Sequence, residues 1–292
     1  MASVQSSAPP VSAAGVDDGQ GLLDARLSAA PAWQVWYLRN ERVVLGILGL
    51  VSVIGLWELL VRVGLVRALF VSSPSGILQA TIIAIRDGSL GQSVAASLIE
   101  YFLGFAAAAV VGILVGLGAG WYRRLDCVVS PWITVLYAMP HVALIPLAIL
   151  WFGIGLSYKV FFVFLISIFP IVINTLAGVK ATEAHYLDVA KSFRAGQLRI
   201  FRTVVLPGAV PFIMTGLRLG AGRAWIGVVV AELVGANSGL GFIIGQASEM
   251  LDTAKMMMAI VALGILGMVL IELMHLVEKR FDVWRPQQQP TT

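Results

Sequence analysis

Three long segments without any Asp, Glu, Lys or Arg constrain this chain more than any other feature. They cover residues 101–122, 127–158 and 160–179. A helix needs about 20 predominantly apolar residues to cross the hydrocarbon core of a bilayer. Three further apolar segments, each containing or bordering a few ionisable residues, cover residues 43–61, 212–234 and 256–271. The sequence therefore predicts an all-α integral membrane protein with six transmembrane helices.

The segment 127–158 is longer than one crossing and contains Pro131, Pro140 and Pro146. A proline inside a helix removes a backbone hydrogen bond and bends the helix. We therefore predict that the third span covers about residues 132–152 and is kinked.

Small residues recur at every fourth position of the second predicted span. They are Gly104, Ala108, Gly112, Gly116 and Gly120. Such a ridge allows another helix to approach closely, so we predict a packing role for it.

The composition agrees with a membrane environment. Only 12% of the residues are charged and 59% are hydrophobic, whereas a soluble domain carries about 25% charged residues. This low charge content argues against a soluble enzyme, a disordered protein and a nucleic-acid-binding protein, although the pI is near 9.4. The expected surroundings are a lipid bilayer, without a nucleic acid partner.

The positions of the basic residues predict the orientation of the six spans. Thirteen of them fall on one side of the predicted membrane: Arg26, Arg39, Arg42, Arg123, Arg124, Lys180, Lys191, Arg194, Arg199, Arg202, Lys279, Arg280 and Arg285. Five fall on the other side: Arg62, Arg67, Arg86, Lys159 and Lys255. Because cytoplasmic loops are enriched in Lys and Arg, we expect both termini to be cytoplasmic.

The segments outside the spans complete the expected organisation of the chain. Residues 1–31 are expected to be a disordered cytoplasmic tail without a cleaved signal peptide, since the first twenty residues contain no Lys or Arg. Residues 32–42 combine Trp and Tyr with Arg, which predicts a short helix in the membrane interface. A second amphipathic helix is expected at 76–86 on the outer side. The transmembrane domain then covers 43–285, and residues 286–292 form a C-terminal tail.

The segment between the fourth and fifth predicted spans, residues 181–211, is unusually long. Most connections between neighbouring helices have about 2–8 residues. Its apolar positions follow a helical period in two stretches, which predicts a basic, cytoplasmic helix–turn–helix. An amphipathic helical pair of this kind is a docking surface for a partner protein. The alternative is a positively charged loop that only sets the topology.

This segment resembles the cytoplasmic coupling loop of binding-protein-dependent ABC importer permeases. The family pattern is Glu-Ala-Ala, three residues, Gly, nine residues, then Ile-x-Leu-Pro. Here Asp188-Val189-Ala190 aligns with the acidic triplet and Val204-Val205-Leu206-Pro207 aligns with the ending. Arg194 occupies the glycine position, although glycine is the residue that adopts a left-handed turn at little cost. Either Gly196 moves the turn by two residues, or the helix continues through it.

The resemblance extends over about residues 72–286 and indicates the subgroup of sulfonate, taurine, nitrate and bicarbonate permeases. Glu100 departs from it, because members usually carry a base at this position. The shared motifs are Ser73-Pro74-Ser75, Met139-Pro140, Leu150-Trp151-Phe152-Gly153-Ile154-Gly155, Phe169-Pro170, Gly216-Leu217-Arg218, Ala224-Trp225, Ala231-Glu232 and Gly239-Leu240-Gly241.

The resemblance implies a permease subunit that forms, with a second copy, the pathway for a small solute such as a sulfonate, nitrate or bicarbonate anion. It also implies two ATP-binding subunits, a substrate-binding protein and a location in the bacterial plasma (inner) membrane. The sequence contains no Gly-x-x-x-x-Gly-Lys-Ser/Thr phosphate loop. We therefore expect no enzyme activity and no cofactor in this chain, with ATP and Mg bound by the partner ATPase. The residues expected to contact the ATPase are Tyr186, Asp188, Ala190, Phe193, Arg194, Gly196 and Pro207.

Ionisable groups and a broken helix inside the membrane mark the candidate translocation pathway or gate. Arg218 and Glu232 lie in the fifth span, where ionisable side chains are costly and are functional candidates. Arg223 lies in the same span, and the two arginines would permit an anionic path. Met139-Pro140-His141 interrupts the third span, which is tolerated where a helix lines a cavity or packs on other helices. A hydrogen-bond anchor is the alternative role for Glu232, and packing is the alternative for His141.

The other reactive residues form no catalytic or metal-binding set. His141, His185 and His275 lack the spacing of metal ligands. Cys127 is the single cysteine, and we expect it to be a small packing residue. Two rival functions stay open: a secondary transporter, which needs no ATPase and usually shows inverted repeats, and an intramembrane enzyme.

Overall fold

The structure is a computed structural model that describes residues 32–67 and 69–280. The predicted tails at 1–31 and 286–292 lie outside the described residues. Every regular element in these ranges is helical. The helices are α1 (Ala32–Arg62), α2 (Pro74–Arg86), α3 (Ser89–Trp121), α4 (Arg123–Ala138), α5 (Ile145–Phe152), α6 (Leu156–Lys180), α7 (Ala184–Ser192), α8 (Gln197–Ile200), α9 (Leu206–Leu233), α10 (Leu240–Glu249) and α11 (Thr253–Lys279).

The first helix, α1, consists of two helical pieces. The backbone of Asn40 is not helical (φ −113°, ψ 15°), so a kink separates them. The piece Asn40–Arg62 is long and apolar enough to cross a membrane. Near its end, Arg62 Nε donates a hydrogen bond to Glu58 Oε1 at 2.6 Å. The residues after α1 form a separate compact unit.

That second unit contains the other membrane-spanning helices. Four single spans cover Ser89–Trp121, Leu156–Lys180, Gln197–Leu233 and Thr253–Lys279. The remaining candidate is a bent pair, Arg123–Ala138 with His141–Phe152, whose axes differ by 93°. Together with α1, these elements give six helical crossings if the bent pair counts as one. The predicted all-helical architecture with six spans is confirmed in this form.

The third predicted span is broken more sharply than kinks alone would produce. Met139 is extended (φ −71°, ψ 143°), and Pro140 is also non-helical (φ −71°, ψ 93°). A proline disfavours helical conformation in the residue before it, which explains the extended Met139. By contrast, α4 runs through Pro131 without ending.

The core of the second unit forms where α6 packs against both α3 and α9. The small residues of α3 make this packing close. A Cβ atom at Gly116 would lie 2.6 Å from Thr175 Cβ, and one at Gly120 would lie 2.5 Å from Val179 Cβ. The predicted packing role of the small-residue ridge is confirmed.

The amphipathic helix predicted at 76–86 is also present, as α2. It begins at Pro74, two residues earlier than predicted, because Ser73 acts as its N-cap. Ser73 Oγ accepts a hydrogen bond from Gly76 N at 3.0 Å, which satisfies a free N–H of the first turn. Ile77 and Ala84 form its buried face.

Candidate functional site

The segment between α6 and α9 folds as a helix, a turn and a second helix, as predicted for residues 181–211. α7 ends at Ser192, and α8 begins at Gln197. A π-helical turn, Phe201–Val205, joins α8 to α9. From Gln197 onwards the segment is helical without interruption into α9, and the turn separates it from α7.

Arg194 makes the turn between α7 and α8. Its φ is +53°, in the left-handed region that favours glycine. Arg194 N donates to Lys191 O at 2.8 Å, and Ala195 N donates to Ala190 O at 3.1 Å. Gly196 instead has an extended backbone (φ −67°, ψ 156°) before α8. The turn thus stays at the position where the resembled family has glycine, and both alternatives, a turn moved to Gly196 and a continuous helix, are wrong.

α7 has one packed face and one exposed face. Leu187 and Ala190 pack against the cluster that joins the end of α6 to the start of α9. Tyr186 is 56% exposed and Phe193 is 83% exposed. Tyr186 lies on α7 and Phe193 directly follows it, and these two exposed aromatic side chains form a surface suited to binding another protein.

Two further predicted coupling residues lie in α7 and α9. Asp188 of α7 is exposed, and Lys191 Nζ donates to its carboxylate at 3.1 Å. Pro207 is the second residue of α9, in the first turn after the π-helical turn, where its missing N–H fits the change of hydrogen-bond pattern. An open groove of about 310 Å³ lies next to α8 and is lined by Leu117, Gly118, Trp121, Tyr122, Gln197, Leu198 and Phe201.

The break between α4 and α5 contains Met139, Pro140 and His141. The His141 ring packs against Phe169, with 5.3 Å between ring centroids. Its Nε2 atom is buried and has no hydrogen-bond partner among the described residues. The structure therefore places this predicted pathway residue in the break between the two helices, packed against Phe169 of α6.

Arg218 pairs with a neighbouring helix. Its Nη1 donates to Glu278 Oε2 at 3.2 Å, and Glu278 is buried in the last turn of α11. Arg218 does not pair with Glu232 of the same helix, because fourteen residues, or about 21 Å along the helix axis, separate them.

Glu232 lies in a buried hydrogen-bond cluster at the other end of α9. Ser97 Oγ donates to Glu232 Oε1 at 2.6 Å, and Gly241 N donates to Glu232 Oε2 at 2.7 Å. Ser97 Oγ also accepts from Leu240 N at 3.1 Å. A Cβ atom at Gly239 would lie only 2.0 Å from Glu232 Oε1. The glycine pair of the Gly239-Leu240-Gly241 motif thus lets the backbone close over the carboxylate.

The same end of the molecule contains a buried ion pair that the sequence did not reveal. Lys159 Nζ donates to Glu100 Oε1, and the two side chains are only 2% and 1% exposed. Lys159 Nζ also donates to Ser238 O at 3.1 Å. Lys159 was counted among the loop bases of one side, but it does not lie in a loop, because α6 begins at Leu156 and buries this lysine. The sequence contained only an indirect sign of this ion pair. Glu100 is an acid at a position where members of the resembled subgroup usually carry a base.

Cys127 also differs from the sequence prediction. It is exposed in α4 and not packed. Among the described residues no group of three His, Cys, Asp or Glu side chains is arranged to hold a metal ion.

Six helical crossings, with the bent pair counted as one, define a multi-span membrane protein. A family model described as the binding-protein-dependent transport system inner membrane component matches residues 108–283. The chain belongs to this family and is a permease component of an ABC importer.

Characterised and solved relatives agree with this assignment. The taurine transport system permease protein of Escherichia coli (strain K12) is 31% identical over 255 residues, covering 86% of this chain and 93% of that protein. The putative aliphatic sulfonates transport permease protein of the same organism is 35% identical over 236 residues, covering 81% and 90%. An inward-facing MetNI methionine ABC transporter shares the fold, with a TM-score of 0.57, 21% identity, and coverage of 68% of this chain and 96% of that chain.

Proposed function

We propose that this chain, with a second copy of itself, forms the inner-membrane pathway of an ATP-driven importer for a small anion. The relatives named for taurine, aliphatic sulfonates and nitrate support an anionic substrate. A substrate-binding protein delivers the anion on the outer side. Two ATPase subunits bind ATP and Mg on the cytoplasmic side, where both termini of this chain also lie.

The observation that carries the proposal is the exposed aromatic surface of α7. Tyr186 and Phe193 project from a helical segment whose other face is fixed to α6 and α9 through Leu187 and Ala190. A partner bound to this surface can move the spans through these contacts, because Leu187 and Ala190 pack against residues of both α6 and α9. Closure of the ATPase dimer would then switch the pathway from inward-facing to outward-facing.

Co-purification and transport test this role. We expect Tyr186→Ala/Phe193→Ala to lose the ATPase subunits on purification and to lower ATP-driven uptake into proteoliposomes at least tenfold. Leu78→Ala is the matched control, because Leu78 is similarly exposed, at 62%, but belongs to α2. It should retain both the complex and the uptake.

The rival secondary transporter makes the opposite prediction. Its uptake would follow an ion gradient in proteoliposomes without ATP and would survive deletion of residues 183–205. Either result would exclude the ATP-driven importer.

A further inference from the structure

Arg223 is an exposed arginine in the interior of a membrane span. It lies in α9, ten residues before the end at Leu233, which corresponds to about 15 Å along the helix axis. The hydrocarbon core is about 30 Å thick, so Arg223 lies near the middle of the membrane. A guanidinium facing lipid at this depth is costly, and such residues face a water-filled cavity or another protein surface.

Arg223 forms no salt bridge with any carboxylate of the described residues. Glu41 lies in the first turn of the span Asn40–Arg62. Glu272 lies about 10 Å before the end of the span Thr253–Lys279. A second copy would offer the same set. The other span carboxylates already accept hydrogen bonds from neighbours: Glu58, Glu100, Asp126, Glu232 and Glu278.

The surroundings of Arg223 form an uncovered face rather than a packed one. Leu219 and Ile226, one turn to either side on the same face of α9, are 49% and 55% exposed. Arg223 itself is exposed between them. The guanidinium therefore belongs to an uncovered face of α9.

We propose that Arg223 binds the transported anion near the middle of the membrane. The ligand class is a small oxyanion of the sulfonate, nitrate or bicarbonate type, because the planar guanidinium donates paired hydrogen bonds to two oxygens. This inference rests on the proposed function, in which the interface of two copies supplies the aqueous path.

Cysteine labelling tests the charge and accessibility of this face without knowledge of the natural substrate. Cys127 is the single cysteine of the chain, so Cys127→Ser provides a cysteine-free background for Ile226→Cys. The full chain in proteoliposomes is treated with an anionic and with a cationic methanethiosulfonate reagent. We expect the anionic reagent to react faster, and Arg223→Gln to lower the anionic-to-cationic rate ratio by about tenfold, as loss of a nearby unit charge requires.

Two controls keep the result interpretable. Arg223→Lys retains the positive charge and should preserve the ratio, so a folding defect in Arg223→Gln is separated from an electrostatic effect. Ile265→Cys on α11 is also exposed, at 59%, and we expect it to face lipid and to react with neither reagent. If Ile226→Cys reacts with neither reagent, or if the ratio is unchanged in Arg223→Gln, the anion site is refuted.

ATP-driven uptake of nitrate, taurine and methanesulfonate by the reconstituted importer is the second arm. Arg223→Gln should lower uptake at least tenfold, while binding-protein-stimulated ATPase activity changes by less than about twofold. Arg86→Gln, which removes an arginine from the end of α2, should leave both unchanged. Loss of ATP-driven uptake in the unmodified protein would refute the proposed function, whereas normal uptake in Arg223→Gln would refute only the anion site.

Discussion

A left-handed backbone at Arg194 costs conformational energy that a glycine would avoid. The φ of +53° brings Cβ close to the following carbonyl oxygen. We expect Arg194→Gly to raise the free energy of unfolding by about 1 kcal/mol, measured by SDS-induced unfolding in detergent micelles. Lys191→Gly is the control, because it places glycine inside α7 and should lower stability by a similar amount. An equal loss in both variants would show that the left-handed turn is not strained.

Gly239 illustrates a second residue-level constraint. Its φ is +112°, and a Cβ atom there would meet the Glu232 carboxylate at 2.0 Å. We expect Gly239→Ala to lower the free energy of unfolding by about 2–4 kcal/mol. Gly245→Ala on α10 is the matched control, since no atom lies within 4 Å of its Cβ position and alanine favours the helix. A loss in Gly245→Ala equal to that in Gly239→Ala would contradict the role of the carboxylate contact.

At the scale of helices, the close approach of α3 and α6 makes the small-residue ridge sensitive to a single methyl group. A Cβ at Gly116 would meet Thr175 Cβ at 2.6 Å, whereas a Cβ at Gly118 would meet only Leu125 Cδ1 at 3.7 Å. Both positions are inside α3, so helix propensity changes equally. We expect Gly116→Ala to lower the midpoint of thermal unfolding and Gly118→Ala to raise it, with Gly116→Ala costing about 1–3 kcal/mol. Equal shifts would mean that the two helices can separate without cost.

The elements that the sequence predicts well are those set by local patterns. Apolar segments located the spans, and the recurrence of small residues predicted a close helix contact on α3 without naming the partner helix. The helix α2 was predicted from residue 76, two residues after its observed start at Pro74. The helical period in residues 181–211 predicted α7 and α8. The sharp bend after Met139 was predicted only as kinks, because the size of a bend depends on what packs around the proline and not on the proline alone.

Contacts between distant segments could not be predicted from these patterns. Lys159 follows a long charge-free segment, so a count of loop charges assigned it to the outer side. Its partner Glu100 is 59 residues away in sequence, and only the packing of α3 against α6 brings the two together. The turn at Arg194 could not be predicted from local patterns either. The surrounding helices hold its backbone in the left-handed conformation, although a residue with a Cβ atom disfavours it.

For the whole molecule, the buried polar cluster joins segments that are far apart in the chain. Ser97 and Glu100 come from α3, Lys159 from α6 and Glu232 from α9, while Ser238 belongs to the loop before α10. In contrast, α4 contributes no buried residue, and α7 reaches the core only through partly buried side chains. We therefore expect α3, α6, α9 and α10 to move as one body during transport, with larger displacements in α4 and α7.

Removal of the Lys159 ammonium group tests how much the buried polar cluster stabilises the packing of α3, α6, α9 and α10. Lys159→Met leaves Glu100 buried without its counter-charge, so we expect the free energy of unfolding to fall by about 3–5 kcal/mol. The double variant Lys159→Met/Glu100→Leu removes both charges and should recover at least half of that loss.

Lys180→Met is the matched control. Its ion pair with Asp126 is exposed, with side-chain exposures of 48% and 22%, and such pairs contribute about 0–1 kcal/mol to stability. The double-variant cycle also isolates the coupling between the two buried charges. Additive losses in the double variant would mean that Lys159 and Glu100 stabilise the helices independently, and the polar cluster would then not explain why these spans form one body.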